Sequence, residues 1–317
     1  ERINFDEKFL TFMNQHNTNI NIIIVNYNTW KDTIECIDSI QSSLYKKISI
    51  FIIDNNSSDA SVENIQDWVA SNENFHLINS NQYKIENDFQ KINTNLKQIP
   101  LTIYSSNENL GFAKANNIYL EKIIKKDKNE FILMLNPDTT LYPNTLTELV
   151  KSHNTKDLEI VGLKINEYAT NELITNGGYS YFSLTGSIKR NLLSNNKKLS
   201  YIHGGAVFLN SLTLRKAGTL PTDYFLYFED NDWCYNAINN NINLTICNTA
   251  VCKDKVGTSM GRGFLAQYYY TFNVLLFTKK FFIKNLVFVS FFQVLRFFYF
   301  LMIKLNLNAA IGILNGL

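Results

Sequence analysis

The feature that most constrains the fold is an alternation of short apolar runs with helix-like segments, which begins at Ile20. The runs are rich in β-branched residues and cover 20–25, 48–53, 101–104 and 131–135. Helix-like segments follow at about 31–42, 59–69 (capped by Ser58 or Asp59), 111–124 and 143–153. Strands buried on both faces and joined by helices are typical of a parallel sheet with right-handed crossovers. The sequence therefore predicts an α/β domain with a mostly parallel sheet flanked by helices.

The regular alternation ends near Gly162, and the chain beyond it has a different pattern. We expect a β-hairpin or mixed excursion over 165–200, a strand over 202–209, a helix over 229–239 and a strand over 242–247. A polar, aperiodic stretch at about 71–99 is expected to be an insertion. The predicted organisation is an N-terminal lead (1–19), the α/β domain (20–262) and a C-terminal apolar helical extension (263–317).

Charge and cysteine usage argue against several classes of protein. Lys and Arg number 30 against 28 Asp and Glu, and this near balance argues against nucleic acid as a partner. The four cysteines have no CxxC spacing, which argues against a zinc site and a disulfide framework. We therefore expect a reduced, cytoplasmic compartment, and no signal peptide because residues 1–19 are polar.

Two carboxylates follow predicted strands, at the edge of a parallel sheet where ligands bind. Asp138 comes after a buried strand and a proline, where it can bind Mg²⁺ or Mn²⁺ on a diphosphate, or cap the next turn. Asp54 ends another strand, where it can accept hydrogen bonds from a ligand or form an Asx turn. The residues alone leave both alternatives open.

A third group of acids lies between Tyr227 and Trp233. Glu229, Asp230 and Asp232 either interact with the dipole at a helix start or supply a general base beside aromatic rings. Glycines at 111 and at 204–205 are typical of turns, bulges or close approaches to a ligand. The chain has no GxGxxG, Walker, GxSxG or HExxH motif, so dinucleotide, P-loop, hydrolase and zinc-protease functions lack support.

Taken in order, these segments resemble the family 2 glycosyltransferases of the GT-A fold, in particular the rhamnosyltransferase-like branch. The matching stretches are Ile24–Asn28, Asp54–Asp59, Asn109–Asn117, Leu135–Asp138, Gly204–Ala206 and Tyr227–Asp232. Each stretch is degenerate alone, but together they run from about 20 to 261 in the expected order.

The resemblance implies a role for each matching residue. Donor binding is assigned to Val25, Tyr27, Asn28, Asp54, Asn56, Asn109, Gly111, Phe112, Asn136 and Asp138. Asp138 would coordinate a divalent cation, Mn²⁺ or Mg²⁺, with Asn136 in place of the family's first acid. Asp230 would be the catalytic base, and Glu229 would orient the acceptor or the base. Acceptor or sugar contacts are assigned to Gly204, Gly205, Asp232 and Trp233.

Three positions depart from the family pattern. Asp254 aligns with a His that often completes the metal site, and we expect Asp254 to replace it as a metal ligand. Asn236 and Phe272 align with arginines of the family, and Phe272 is followed by Asn273. These changes keep open a weakened or inactive homologue that binds nucleotide sugar or glycan.

The segment Phe281–Ile303 is strongly apolar and aromatic. Lys284, Asn285, Gln293 and Arg296 interrupt it, so we expect a poor spanning helix and instead interfacial helices on an anionic membrane surface. The alternative is a helix pair packed on the domain or on a second subunit of a homodimer.

The expected function combines these points. The resemblance implies an inverting, metal-dependent hexosyltransferase that moves a hexose or deoxyhexose from a UDP- or dTDP-sugar. The acceptor would be a growing, lipid-linked surface glycan at the inner membrane of a bacterium. A membrane-docked partner for glycan assembly is the remaining alternative.

Overall fold

The structure is a computed structural model, and it describes residues 18–79, 98–126, 128–153, 158–191, 199–255 and 263–317. Nearly all of the predicted N-terminal lead and most of the predicted insertion lie outside these residues. The strands of the main sheet are β1 (Ile20–Asn26), β2 (Ile48–Asp54), β3 (Phe75–Asn79), β4 (Ile99–Ser105), β5 (Phe131–Leu135), β6 (Thr139–Leu141), β7 (Glu159–Glu167), β8 (Leu173–Thr175), β12 (Ala206–Asn210) and β13 (Asn243–Asp254). A small sheet contains β9 (Gly178–Phe182), β10 (Ser187–Arg190) and β11 (Tyr201–Ile202).

The helices are α1 (Trp30–Gln41), α2 (Ser61–Ser71), α3 (Gly111–Lys125), α4 (Thr145–Ser152), α5 (Ser211–Ala217), α6 (Glu229–Asn239), α7 (Phe264–Phe281), α8 (Leu286–Phe298) and α9 (Leu307–Gly316). A 3₁₀ turn, Ile283–Asn285, precedes α8, and a π-helical turn, Tyr299–Ile303, continues it.

The main sheet has the order β3-β4-β2-β1-β5-β12-β7-β13-β6, with β8 on the side of β7. Strands β1, β2, β4 and β5 are mutually parallel where they pair, as predicted. In β1, Ile22 and Ile24 pack into a core on one face of the sheet, while Ile23 packs into a second core on the other. Burial on both faces explains why this strand is an almost continuous apolar run.

The carboxyl ends of the parallel strands meet at one edge. Asn26 of β1 pairs with Asp54 of β2, and Ile24 pairs with Leu135 of β5. The residues that follow these strands, including Asn136 and Asp138, therefore lie at the same edge of the sheet, where the candidate site is built.

Four details differ from the sequence predictions. Strand β3 lies inside the predicted insertion, and β13 runs on to Asp254 past a register shift after Cys247. The strand predicted over 202–209 divides at Gly204–Gly205 into β11 and β12, which belong to different sheets. The N-cap of α2 is Ala60 in the left-handed region (φ 56°) with no side-chain cap, so capping by Ser58 or Asp59 was wrong.

The C-terminal extension packs on the domain through α7. Val274 and Phe277 of α7 form a small core with Tyr224 and Phe228, and α9 packs back on α7. A Cβ at Gly312 would lie 2.3 Å from the carbonyl oxygen of Phe264, so this close approach of α9 requires glycine.

Helix α8 and its flanking turns are mostly exposed. Ile283–Ile303 is long and apolar enough to cross a membrane, with a mean hydropathy of 2.1 and 11% of its most apolar window buried. This length and composition fit a span, and the interfacial helices expected from the sequence stay a prediction.

Candidate active site

A buried polar corner joins the ends of β1 and β2. Asn26, fully buried, donates from Nδ2 to Oδ1 of Asp54 at 2.7 Å and accepts from the hydroxyl of Thr33 at 2.7 Å. The other carboxylate oxygen of Asp54 accepts from the backbone N–H of Ser57 at 3.0 Å. Asp54 is 3% exposed, so its carboxylate holds the turn after β2. The geometry favours the turn alternative for Asp54 over direct contact with a ligand.

The rim of this corner is open. Tyr27 is 44% exposed, and Asn28 and Asn56 adopt positive φ values of 55° and 64° on exposed turns, next to half-buried Val25. Oδ1 of Asn28 accepts from the N–H of Ser58 at 2.7 Å, which ties the turns after β1 and β2 together. Side chains on this rim are accessible to a nucleotide.

The turn before α3 is held by the adjacent strand end. Asn55 donates from Nδ2 to Oδ1 of Asn109 at 2.9 Å and accepts from the N–H of Leu110 at 2.8 Å. Gly111 has φ 74°, and a Cβ there would lie 2.5 Å from the carbonyl oxygen of Phe225. Asn109 and Gly111 thus shape the turn at the start of α3, and Phe112 lies on the first turn of that helix, next to Gly204.

Asp230 lies on the first turn of α6, behind two residues in the left-handed region, Tyr227 (φ 68°) and Phe228 (φ 74°). Its Oδ2 accepts from the N–H of Gly204 at 3.0 Å, and its Oδ1 accepts from the N–H of Asn231 at 2.8 Å. Burial raises the pKa of this carboxyl, while His203 and the hydrogen bonds oppose the rise. The result is a partly exposed carboxylate in a fixed orientation.

The glycine pair brings the loop after β5 next to Asp230. The N–H of Asn136 donates to the carbonyl of Gly205 at 2.8 Å, and a Cβ at 205 would lie 3.0 Å from Nδ2 of Asn136. A Cβ at Gly204 would lie 3.4 Å from the ring of Phe112 and 3.6 Å from Oδ2 of Asp230. Both glycines are therefore points of close approach between segments of the protein, and their contact with a sugar stays a prediction.

Sequence reasoning missed His203, which precedes this pair. Its Nδ1 accepts from the N–H of Gly205 at 3.2 Å, which assigns the ring proton to Nε2 in the neutral form. Burial lowers the pKa of His203, and the negative charges of Asp230 and Asp138 oppose that effect. Both acids therefore lie near this one imidazole, and the only signal in the sequence is the position next to Gly204.

Asp138 and Asp254 form a pair of acids on neighbouring strands. Thr139 of β6 lies opposite Asp254 of β13, and the N–H of Lys255 donates to the carbonyl of Asp138 at 3.2 Å. Burial, then the negative charge of Asp138, raises the pKa of Asp254 to about 7. A buried carboxylate and a half-buried one that repel each other fit the binding of a hard divalent cation.

Protein side chains alone do not supply all the ligands of the candidate metal site. Within the part of the chain that the structure describes, no cluster of three or more His, Cys, Asp or Glu side chains is arranged to hold a metal. Asp138 and Asp254 would therefore share an ion with ligand oxygens. Asp54 lies at the same sheet edge, but Asn26 and the backbone of Ser57 engage its two carboxylate oxygens.

Two predicted acceptor contacts were wrong. Asp232 is fully buried and accepts from Tyr224 (2.8 Å), Asn236 (2.6 Å) and Lys280 (2.7 Å). Trp233 is 2% exposed and donates from its indole N–H to the carbonyl of Gly218 at 2.9 Å. A helix turns about 100° per residue, so Asp232 lies on the face opposite Asp230. Trp233 lies nearer to the face of Asp230, but its burial and its hydrogen bond to Gly218 keep it from the site.

Glu229 lies under the site and not in its opening. It is 6% exposed, and among the described residues its Oε2 has no hydrogen-bond partner. Burial, then the negative charge of Asp230, raises the pKa of Glu229 to about 8. Glu229 is therefore protonated at neutral pH, and it adds no second negative charge beside Asp230.

The turn that presents Asp230 is held from the C-terminal extension. Asn273 of α7 is 1% exposed, and its Nδ2 donates to the carbonyls of Leu226 at 2.7 Å and Tyr227 at 3.0 Å. Phe272, which aligns with a family arginine, is 46% exposed. The two contacts join residues 47 and 46 positions apart in the sequence, so no local pattern predicts them.

Comparisons with known proteins agree with this architecture. Residues 21–87 match the family model described as Glycosyl transferase family 2. The low-salt glycan biosynthesis hexosyltransferase Agl10 of Haloferax volcanii is 23% identical over 240 residues, which cover 72% of this chain and 64% of the relative. The match therefore spans less than two thirds of that protein.

Solved structures share the fold at low sequence identity. The mannosyltransferase PcManGT of Pyrobaculum calidifontis, in complex with GDP-Man and Mn²⁺, has a TM-score of 0.55 at 13% identity over 94% of this chain and 74% of its own. S. aureus TarS 1-349 with UDP-GlcNAc has a TM-score of 0.52 at 13% identity, over 91% and 74% of the two chains. These neighbours confirm the predicted GT-A fold.

Proposed function

Because the chain carries a domain of glycosyl transferase family 2, we propose that it is an inverting hexosyltransferase that uses a nucleoside-diphosphate sugar. The observation that carries the proposal is the position of Asp230. Its carboxylate is fixed by Gly204, the charges of Asp138 and Asp230 both act on His203, and Asp254 lies beside Asp138. A base and a cation site side by side match transfer from a diphosphate leaving group.

In the proposed reaction, Asp230 accepts the proton of an acceptor hydroxyl. The hydroxyl oxygen forms a bond to the anomeric carbon as the bond from that carbon to the diphosphate oxygen breaks. The electron pair leaves with the nucleoside diphosphate, and the configuration inverts because attack and departure are in line. When bound at Asp138 and Asp254, Mn²⁺ or Mg²⁺ would offset the negative charge of the diphosphate.

The surrounding residues supply orientation. The exposed rim at Tyr27, Asn28 and Asn56 would bind the nucleoside, next to the turn that Asp54 holds. Asn136 and the glycine pair would border the sugar between Asp138 and Asp230. Protonated Glu229 keeps the negative charge of this part of the site on Asp230, which favours its role as base.

Donor hydrolysis tests the proposal without knowledge of the acceptor. Purified full-length protein is incubated with Mn²⁺ and UDP-, dTDP- or GDP-sugars, and release of nucleoside diphosphate is measured. We expect slow release that EDTA abolishes. The same measurement tests the alternative of an inactive binding homologue, which binds a donor but releases no diphosphate above background.

We further propose that the extension docks on the cytoplasmic face of a membrane, next to a lipid-linked glycan acceptor. Val287, Phe291 and Met302 are 79%, 57% and 69% exposed. Residues 263–317 contain five Lys and Arg and no Asp or Glu, which suits an anionic lipid surface.

Vesicle sedimentation tests the docking. Full-length protein should sediment with vesicles that contain phosphatidylglycerol, and the double variant Phe291→Glu/Met302→Glu should not. Leu212→Glu is the matched control, because Leu212 is 42% exposed on α5 of the domain. A gel-filtration dimer that dissociates in the double variant would instead support the homodimer alternative.

A further inference from the structure

Arg190 ends β10 of the small sheet and is exposed. Its cross-strand partner on β9 is Tyr179, and Tyr179 is in turn opposite Tyr201 on β11. Residues directly opposite in antiparallel strands project from the same face. Arg190, Tyr179 and Tyr201 therefore form a row across one face of this sheet.

The row leads into the candidate active site. The ring of Tyr179 stacks on Tyr201 with centroids 5.1 Å apart and on His203 with centroids 5.4 Å apart. His203 accepts from Gly205, and Gly204 donates to Asp230. Arg190 thus occupies the outer end of a continuous set of contacts whose inner end is Asp230.

The charge of Arg190 acts on the site from this position. It lowers the pKa of His203 and of Tyr179, and it opposes the rise in the pKa of Asp254. The guanidinium therefore acts on the side of the site that holds Asp254, one of the two acids proposed to bind the cation.

Arg190 is a cation without a counter-charge of its own. Within the described ranges, no carboxylate forms a salt bridge with it inside 4.0 Å. Lys255, which follows Asp254, is in contrast engaged by Asp32 at 2.7 Å and by Glu35. Arg190 thus remains available for an anionic ligand, and its planar fork of N–H donors matches phosphate oxygens.

We propose that Arg190 binds the diphosphate of the nucleotide-sugar donor, an inference that rests on the proposed function. The diphosphate and the acids of this site are all negatively charged. A positive charge is therefore needed for the diphosphate to bind beside them. Arg190 supplies that charge from the small sheet, on the side of the site nearest Asp254.

Nucleotide binding measured by calorimetry in Mn²⁺ buffer tests this role. UDP, dTDP and GDP are titrated into wild type, and the tightest of them is then compared with its nucleoside. In Arg190→Ala the diphosphate should bind about tenfold to hundredfold more weakly, as expected for lost hydrogen bonds to a charged group. Binding of the nucleoside should not change, and Arg190→Lys should fall between the two.

The matched control is Lys189→Ala. Lys189 is exposed and adjacent, but successive strand residues point to opposite faces, so it lacks access to the site. Lys189→Ala removes one positive charge at nearly the same place as Arg190→Ala, and the nucleotide affinity of the Lys189 variant should equal that of wild type. If both variants lose the same diphosphate affinity, the effect comes from the overall charge of the protein, and the proposal is overturned.

Other results also decide the question. Unchanged diphosphate affinity in Arg190→Ala overturns the inference and leaves the proposed function intact. If that variant keeps its diphosphate affinity but has a raised KM for the glycan acceptor, Arg190 recognises the acceptor, and the inference is again wrong. If wild type binds no nucleoside diphosphate with Mn²⁺, the proposed function fails together with it.

Discussion

The backbone N–H of Gly204 donates a 3.0 Å hydrogen bond to Oδ2 of Asp230. This bond joins the break between β11 and β12 to the first turn of α6, two segments 26 residues apart. It fixes the direction of the carboxylate before any ligand binds. Preorganisation of this kind is what a general base requires, because a small displacement of the reacting atoms costs much of the rate.

Asp230→Asn should abolish transfer and keep donor binding. Loss of a general base lowers the rate by about 10²–10⁴-fold, while nucleoside-diphosphate affinity should stay at the wild-type value. Rates come from diphosphate release, affinity from calorimetry, and thermal melting checks the fold. The control is Asp67→Asn on the exposed face of α2. Turnover near the wild-type rate in Asp230→Asn would exclude Asp230 as the base.

Asp254→Asn should have opposite effects on metal binding and on stability. Without a carboxylate at 254, Mn²⁺-dependent binding of nucleoside diphosphate should weaken by more than about tenfold. In the metal-free protein at pH 8, the melting temperature should rise, because the buried repulsion with Asp138 is removed. The control is Glu172→Gln, on an exposed turn. If nucleotide binding by wild type is indifferent to EDTA, the two acids do not form a metal site.

Glu229 predicts a pH dependence of stability. Its pKa is about 8 in the folded protein against 4.5 ordinarily, so between these values the folded state holds a proton that the unfolded chain has released. The contribution of Glu229 to the free energy of unfolding therefore falls as pH rises from about 4.5 to 8, as expected for a carboxyl group whose pKa is raised by folding. As pH rises through this window, the melting temperature of Glu229→Gln should increase relative to that of wild type. Below pH 4.5 the two melting temperatures should be equal. A constant difference between the two curves would refute the shift.

The sequence predicted the part of the fold that depends on local pattern. Strands β1, β2 and β5 are continuous apolar runs because both faces are buried, so their pattern is unambiguous. Strand β3 was missed because it is an edge strand in which only Phe75, Leu77 and Ile78 are apolar. The long β13 was cut short because its register shift after Cys247 interrupts the pattern.

The site was predictable only where its residues follow a local rule. Asp138 and Asp230 lie beyond a strand end and on the first turn of a helix, so position and resemblance both identify them. The roles of Asn273 and Arg190 depend on contacts with segments tens of residues away, and no local pattern encodes these. Asp232 was misassigned because three acids within four positions look equivalent until the helix turns Glu229 and Asp232 inward.

Asn273→Ala should slow transfer without weakening nucleotide binding. The variant leaves the carbonyls of Leu226 and Tyr227 without their donor, so the left-handed turn ahead of Asp230 loosens. We expect kcat to fall roughly tenfold to hundredfold and the free energy of unfolding to fall by about 1–3 kcal/mol. Phe272→Ala, at an exposed neighbouring position, is the control. A loss of stability with kcat unchanged would make Asn273 a purely structural residue.

Lys280→Met should uncouple the extension from the catalytic helix. Lys280 of α7 donates to Oδ2 of Asp232 at 2.7 Å, and Asp232 is fully buried while the Lys280 side chain is 39% exposed. Breaking a fully buried pair costs about 3–5 kcal/mol; the exposed lysine reduces this to roughly 2 kcal/mol. Chemical denaturation measures the loss, with Lys279→Met as the exposed control. The double variant with Asp232→Asn should recover part of the stability, because no buried charge is then left unpaired. If the double variant is as unstable as the sum of the two single ones, the ion pair does not couple α7 to α6.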